Sequence, residues 1–281
     1  MSRYSFSGHE SFNCKSLWLK KGYDYLFTGN KFTAINAVVK LGVGKNMVSS
    51  IRFWLRVFGL SSSDNLTDLA TFLFDDNNGR DRFSEDINSL WVLHYHLVKN
   101  NIASIYNLLF VDYQKEKREF SRDELQAYIK RKCSVPEQKN VYNENTIKKD
   151  ISVLLTNYVA PKDLKNIENF SALLISLGLI QSKDSDIYKF KETMSDEIAP
   201  EIILYALSDI RSDDNTVSFD LLQKLSLIFC MPMGELISII LVLQQNYPDT
   251  LVYSDNSGIK NVQFLKNVDR FEILDQYYTK L

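Results

Sequence analysis

Apolar residues recur at three- and four-residue spacing along most of the chain, which predicts helices that bury one face. The pattern predicts a helix over residues 31–41. Its apolar positions are Phe32, Ile35, Val38 and Val39. A tight break at Gly42-Val43-Gly44 separates it from a second predicted helix over residues 46–58, which Gly59 ends. The inner face of this second helix would comprise Met47, Val48, Ile51, Trp54, Leu55 and Phe58.

Further along, a short helix is predicted over residues 66–74, and two apolar helices over 88–99 and 102–111 predict a buried bundle. Ser121 and Glu124 form a capping-box pattern that opens the next helix. The remaining helices are predicted over residues 143–158, 171–177, 200–210, 218–226 and 232–245. Alternating residues with turn signals predict hairpins over 179–190 and 251–264.

The order helix, turn, helix and hairpin therefore occurs about three times, which is the order found in winged helices. The predicted fold is mainly α with short β-hairpins, built from tandem winged-helix or helix-turn-helix modules plus a helical bundle. Three domains follow from this order: residues 1–114, 115–195 and 196–281.

Two helix-turn-helix segments carry residue types that contact phosphates and base edges in DNA complexes. In the first, the apolar stripe leaves seven residues facing outward: Lys45, Asn46, Ser49, Ser50, Arg52, Phe53 and Arg56. In the second, which begins at Asn145-Thr146-Ile147, the outward residues would be Lys148, Lys149 and Ser152. An ordinary helical hairpin with solvated cations remains the alternative for both segments.

Charge is distributed unevenly along the 281 residues. Residues 1–60 contain nine Lys and Arg but only Glu10 and Asp24, a net charge of +7, whereas the whole chain has a net charge of −2. The remaining residues therefore have a net charge of −9. A basic end on an acidic body indicates an anionic partner, and double-stranded DNA is the partner that we expect.

Other chemistry has weaker support in the sequence. Three scattered cysteines without paired spacing favour a reducing cytoplasm, and no apolar run is long enough to span a membrane. His9, Glu10 and Cys14 could act together in an enzyme, but a hydrogen-bonded structural role for His9 is the favoured interpretation. His94 and His96 are expected to pack in a core helix. We predict no catalytic residues, metal or cofactor.

Several motifs resemble one bacterial family, the domain of unknown function 4007. The likeness lies in the segments 6–15, 18–24, 42–47, 54–55, 90–97, 144–150 and 253–255. It therefore covers nearly the whole chain, and the block Phe6-Ser7-Gly8-His9-Glu10-Ser11-Phe12 is its most specific part. No established catalytic residues of the family can be transferred to this chain.

The resemblance implies a place in mobile defence islands, beside a sulfotransfer protein that resembles a phosphoadenosine-phosphosulfate reductase. Such neighbours belong to DNA phosphorothioation or related anti-phage modification systems. We therefore expect a DNA-binding accessory component that works with other proteins of such a complex. A protein-interaction scaffold, a transcriptional regulator of the same system, and an enzyme using His9, Glu10 or Cys14 stay open as alternatives, and so does the oligomeric state.

Overall fold

A computed structural model describes residues 3–161, 172–256 and 259–280. The chain divides into two compact units, Met1–Lys191 and Glu192–Leu281. The boundary lies four residues before the predicted one at 195/196, while the predicted division at 114/115 falls inside the first unit. The division into three domains stays a prediction.

The first unit is mostly helical. Its helices are α1 (Trp18–Phe27), α2 (Ala37–Leu41), α3 (Lys45–Val57), α4 (Asp68–Phe74), α5 (Ile87–Lys99), α6 (Ser104–Asn107), α7 (Gln114–Glu116), α8 (Arg122–Lys132) and α9 (Glu144–Tyr158). A π-helical turn, Leu108–Tyr113, joins α6 to α7, and 3₁₀ turns lie at Pro136–Gln138 and Ile175–Leu177. The strands are β1 (Ser61–Ser62), β2 (Asn65–Leu66), β3 (Glu119–Ser121), β4 (Ile180–Ser182) and β5 (Ile187–Phe190).

Strands β1 and β2 form a two-stranded hairpin, and the other three form an antiparallel sheet in the order β3-β5-β4. The core of this unit is rich in aromatic side chains, since Trp54, Tyr106, Phe110 and Tyr158 are all at most 1% exposed. The Trp54 and Tyr158 rings lie 6.3 and 6.2 Å from the Tyr106 ring. This core fixes α9 and α3 around one aromatic cluster.

In its described residues, 192–256 and 259–280, the second unit has four helices and one sheet. Its elements are α10 (Pro200–Ile210), β6 (Thr216–Ser218), α11 (Phe219–Ile228), α12 (Met233–Asn246), β7 (Leu251–Asn256), β8 (Ile259–Phe264) and α13 (Arg270–Tyr278). The sheet is antiparallel in the order β6-β8-β7. Within the described ranges no single helix is long and apolar enough to cross a membrane, and the pair α11 and α12 meets that requirement only together, with a 109° bend between them.

Most predicted elements are present, including the capping box, in which the Glu124 amide donates to Ser121 Oγ at 3.1 Å and the Ser121 amide donates to Glu124 Oε2 at 2.9 Å. Strands β1, β2, β3 and β6 were not predicted. Each is only two or three residues long, which is too short for an alternating pattern to be recognised in the sequence. Of the helix predicted over 171–177, residue 171 lies outside the described residues, and only Ile175–Leu177 forms a short 3₁₀ turn.

The helix predicted over residues 31–41 is wrong for its first half, because only Ala37–Leu41 is helical. Ile35 is fully exposed and Val39 is 82% exposed, so neither lies on a buried face. Phe32 alone packs inward, with its ring 5.2 Å from that of Tyr25. Four-residue turns from Lys31 to Ala34 and from Ala34 to Ala37 replace the first helical turns. The periodicity therefore arose from exposed apolar side chains.

Candidate nucleic-acid interface

Helix α3 presents all five of its predicted contact residues to solvent. Gly42 ends α2 in the left-handed conformation, at φ 61°, and Gly44 precedes the first residue of α3. Buried apolar positions then turn the opposite face of α3 into the core. The exposed residues are Lys45, Asn46, Ser49, Arg52 and Arg56.

Two residues predicted to face outward on α3 are buried instead. Ser50 is fully buried and Phe53 is 5% exposed. Phe53 is covered because the backbone at Gly8 packs directly on its ring: a Cβ added at Gly8 would lie 2.6 Å from Phe53 Cδ2. The sequence pattern of α3 does not predict the burial of Phe53, because the residues that pack on its ring come from the start of the chain.

The β1-β2 hairpin follows α3 and orients the side chain of Arg52 on that helix. Its two turn residues, Ser63 and Asp64, have φ of 50° and 61°, as a two-residue hairpin turn of type I′ requires. Arg52 Nε donates to Asp64 Oδ1 at 2.7 Å, and the Asp64 side chain is only 9% exposed. The hairpin therefore holds the Arg52 side chain in place and offsets part of its charge.

Arg56 lies one helical turn beyond Arg52. In the described part of the chain no hydrogen bond or ion pair engages the Arg56 guanidinium, and the residue is exposed. Both arginines line a cavity of about 360 Å³. We call it the α3 cavity, and its lining comprises Gly8, Ser49, Arg52, Phe53, Arg56, Ser61, Ser63 and Asp64.

Helix α9 presents the second predicted set. Lys148, Lys149 and Ser152 are all exposed. Lys148 Nζ donates to Glu144 Oε1 at 2.6 Å, a contact that raises the pKa of Lys148 and lowers that of Glu144. Lys149 has no such partner among the residues that the structure describes. Lys149 is therefore the less neutralised cation of the two.

Residues 3–15, the N-terminal segment, connect α9 to α3. His9 Nε2 lies 2.9 Å from Asp150 Oδ1, and both side chains are buried. The Ser11 amide donates to His9 Nδ1 at 3.1 Å, so the ring proton lies on Nε2 and is donated to Asp150. The Ser7 amide donates to the other Asp150 oxygen at 2.9 Å.

The N-terminal segment contacts α9 on one side and contacts α3 on the opposite side. The His9 ring lies edge-on to the Phe53 ring at 5.9 Å, and Trp54 Nε1 donates to the Phe12 carbonyl at 3.2 Å. Further along, the Cys14 amide donates to Asn157 Oδ1 of α9 at 3.0 Å. The two helices that carry the predicted contact residues therefore flank one backbone segment.

This geometry gives His9 the structural role that was favoured from the sequence. Cys14 is fully buried, and burial raises its pKa well above the ordinary value, which keeps the thiol protonated and a poor nucleophile. The Glu10 residue is exposed, whereas His9 points inward to Asp150. His9, Glu10 and Cys14 are therefore not arranged as nucleophile, base and orienting group.

Asp150 is the site residue that sequence reasoning did not single out. It had a detectable signal, because position 150 falls on the apolar stripe of α9 between Ile147 and Ile151. A carboxylate on the inner face of a helix needs a buried partner. Its partner, His9, lies 141 residues earlier in the chain.

The other two histidines lie in the core as predicted. His94 is fully buried, with Nδ1 2.7 Å from the Tyr158 hydroxyl, and His96 is 8% exposed. Across the described ranges, no group of three or more His, Cys, Asp and Glu side chains is placed to hold a metal ion.

Two crystal structures share the fold of this chain. One is described as "Magnesium ion-bound SspB crystal structure" (25% identity, TM-score 0.82) and the other as "SspB crystal structure" (25% identity, TM-score 0.81). Each comparison covers 98% of this chain and 88% of the other. No curated relative matches the chain. The family described as "Protein of unknown function (DUF4007)" matches residues 6–278, and the chain therefore belongs to that family.

Proposed function

We propose that this protein is a DNA-binding component of a bacterial anti-phage defence or DNA-modification system. One observation carries the DNA-binding part: all eight predicted contact residues are exposed, on two helices that flank the same segment. Five of the eight are Lys or Arg, the residues that most often contact phosphates. The chain belongs to the DUF4007 family, and the defence role rests on the DNA-modification systems in which we expect members of this family to occur.

The charges of the two units support placing the DNA contact on the first. Residues 1–191 contain 27 Lys and Arg against 21 Asp and Glu, a net charge of +6. Residues 192–281 contain 6 against 14, a net charge of −8. Because duplex DNA is a dense polyanion, it would be attracted to the first unit and repelled by the second.

The order of elements supports a finer proposal, that two winged-helix modules are present. Residues 119–190 follow the order β3, α8, α9, β4 and β5, with the first strand beside the last in one sheet. Residues 200–264 follow the order α10, β6, α11, α12, β7 and β8, with the same strand arrangement. The second helix of each pair would be the recognition helix, α9 in one module and α12 in the other.

A salt-dependent binding measurement with the full chain tests the proposal. The variant Lys45→Glu/Lys149→Glu changes one exposed cation on each helix and leaves the Arg52–Asp64 pair intact. We expect duplex affinity to fall at least tenfold, because each substitution replaces an attraction to phosphate with a repulsion. Parallel titrations of phosphorothioated and unmodified duplexes show whether the modification is recognised.

Lys266→Glu is the matched control, since Lys266 is exposed and lies in the acidic unit. We expect it to leave affinity within about twofold. An affinity that stays constant between low and several hundred millimolar salt would contradict phosphate-based binding.

A scaffold function is the second candidate, and an apolar surface of the first unit favours it. Leu17 (59% exposed), Val39 (82%) and Phe83 (45%) line an open groove of about 800 Å³. Exposed apolar surface of this kind is typical of protein contacts. If the scaffold function is correct, Val39→Asp should abolish co-purification with the neighbouring sulfotransfer protein while duplex binding is unchanged.

A further inference from the structure

The α3 cavity is lined by Arg52 and Arg56, two cations of the proposed DNA-binding surface, and its walls favour a particular anion. Arg52 and Arg56 stand one helical turn apart on the same face of α3, a spacing that places their Cβ atoms about 5–6 Å from each other. Two guanidinium groups at this spacing can donate hydrogen bonds to one anion from two sides.

The arginines are prepared for such a ligand in different ways. Arg52 is oriented by Asp64 through its Nε atom alone, and this bond does not use the two terminal amino groups of the guanidinium. The Arg56 guanidinium has no protein partner in the described ranges. Even with Asp64 included, the lining has a net charge of +1, since two Arg face one Asp.

Hydroxyl groups complete the polar wall. Ser49, Ser61 and Ser63 line the cavity, and each can donate one hydrogen bond. A carboxylate has only two oxygens and can be satisfied by a single bidentate arginine. A phosphate has three or four oxygens, which suits two guanidinium groups and three hydroxyls better.

The cavity is larger than a phosphate requires. Its volume of about 360 Å³ falls in the range of small-molecule pockets, about 300–1,000 Å³. Phe53 and the backbone of Gly8 supply an apolar wall beside the arginines. This combination fits a sugar or base attached to the phosphate.

We propose that the α3 cavity binds the phosphate of a nucleotide, which accepts hydrogen bonds from Arg52 and Arg56. The inference rests on the proposed DNA-binding function and assigns it a discrete phosphate site. The nucleotide would come from a DNA strand end, from an internal phosphate of a strand, or from the free nucleotide pool.

The test is a calorimetric titration of the full chain with four probes. They are deoxyadenosine monophosphate, a short single-stranded oligonucleotide with a 5′-phosphate, the same oligonucleotide with a 5′-hydroxyl, and a duplex. The decisive variant is Arg56→Gln, which removes an exposed charge without opening the core. Arg56→Lys keeps the positive charge but removes the planar guanidinium group that can donate two parallel hydrogen bonds.

Arg82→Gln is the matched control, because Arg82 is also exposed but does not line the α3 cavity. We expect 1:1 binding of the mononucleotide by the wild type, and a loss of about tenfold or more in Arg56→Gln, the range for a hydrogen bond to a charged group. Arg56→Lys should lose less, and Arg82→Gln should bind like the wild type. Mononucleotide and oligonucleotide binding that is equal in Arg56→Gln and wild type overturns the proposal.

The oligonucleotide pair identifies the source of the phosphate. Tenfold tighter binding of the 5′-phosphorylated strand supports a site for strand ends. Equal binding of the two strands, with both weakened in Arg56→Gln, supports an internal phosphate. If only the free mononucleotide binds and no DNA does, the cavity proposal stands while the DNA-binding function fails. If the duplex binds and Arg56→Gln changes none of the four affinities, the DNA-binding function stands while the cavity proposal fails.

Discussion

Asp150 joins the N-terminal segment to α9 by accepting two hydrogen bonds, one from His9 Nε2 and one from the Ser7 amide. Because the residue is 3% exposed, neither donor would find water readily if the carboxylate were removed. We expect Asp150→Ala to lower the free energy of unfolding by roughly 2–6 kcal/mol, the sum for two donors left unsatisfied in the interior.

A double-mutant cycle with His9→Ala separates this effect from the loss of packing. Chemical denaturation of the four proteins should give a coupling energy above about 0.5 kcal/mol, the range for residues in direct contact. Additive effects would show that the His9–Asp150 bond does not contribute to stability. Asp150→Asn, which still offers one oxygen acceptor, should cost less than Asp150→Ala.

Gly8 meets two requirements that no other residue type meets together. Its φ is 102°, and a Cβ at this position would lie 2.6 Å from the Phe53 ring. Gly8→Ala should therefore destabilise the chain by about 1–3 kcal/mol, as expected for overpacking combined with backbone strain. Gly234→Ala is the control, because no atom lies within 4 Å of its added Cβ. A thermal midpoint equal to that of the wild type in Gly8→Ala would be inconsistent with this packing.

At the scale of single elements, the start of α8 makes a prediction about pH. The Lys117 ammonium and the Ser121 amide donate to the Glu124 carboxylate and lower its pKa. A lowered pKa in the folded state means that these bonds stabilise α8 above the ordinary pKa of Glu, about 4.3, and are lost as the pH falls further. The destabilisation caused by Glu124→Gln should therefore be present at pH 7 and shrink below about pH 4.

Ser121→Ala removes the other half of the capping box and provides the comparison. It should cost about 1 kcal/mol, the usual value for an N-cap hydroxyl. Urea denaturation between pH 3 and pH 7 measures both variants. A Glu124→Gln effect that is equal at both pH values would argue against the ionised carboxylate as the source of stability.

The elements also show where sequence patterns suffice. The exposed positions of Lys45, Arg52, Lys148 and the other predicted contact residues on α3 and α9 could be predicted, because each helix has a regular apolar stripe and the opposite face is set by geometry. The burial of Phe53 could not be predicted, because the Gly8 backbone that packs on its ring lies 45 residues away in sequence. The same limit applies to the His9–Asp150 bond, which joins residues 141 positions apart.

Across the whole molecule, the division of charge gives a prediction about salt. Each phosphate contact lowers the logarithm of the binding constant by about 0.9 per tenfold rise in salt concentration on duplex DNA. Lys45→Glu should therefore make the salt dependence shallower by about one contact, whereas Lys266→Glu in the acidic unit should leave it unchanged. Fluorescence anisotropy at several salt concentrations measures both slopes, and equal slopes for the two variants would place DNA elsewhere.

The second unit differs from the first in the helix that would be its recognition helix. Helix α12 contains no Lys or Arg between Met233 and Asn246, and it exposes Leu241 and Val242 at 43% each. A helix of this composition is unsuited to a phosphate backbone but suited to an apolar partner surface. Similar strand and helix orders in the two units therefore do not imply similar ligands.

The anchoring of the N-terminal segment by α9 has a consequence for synthesis of the protein. Residues 4–14 bond to Gln138, Asp150 and Asn157, so they leave the ribosome well before the partners that fix them. Until α9 has emerged, Phe53 lacks its cover and the nascent chain has an incomplete cavity. The proposed phosphate-binding surface would therefore be completed late in translation, after more than half of the polypeptide has been made.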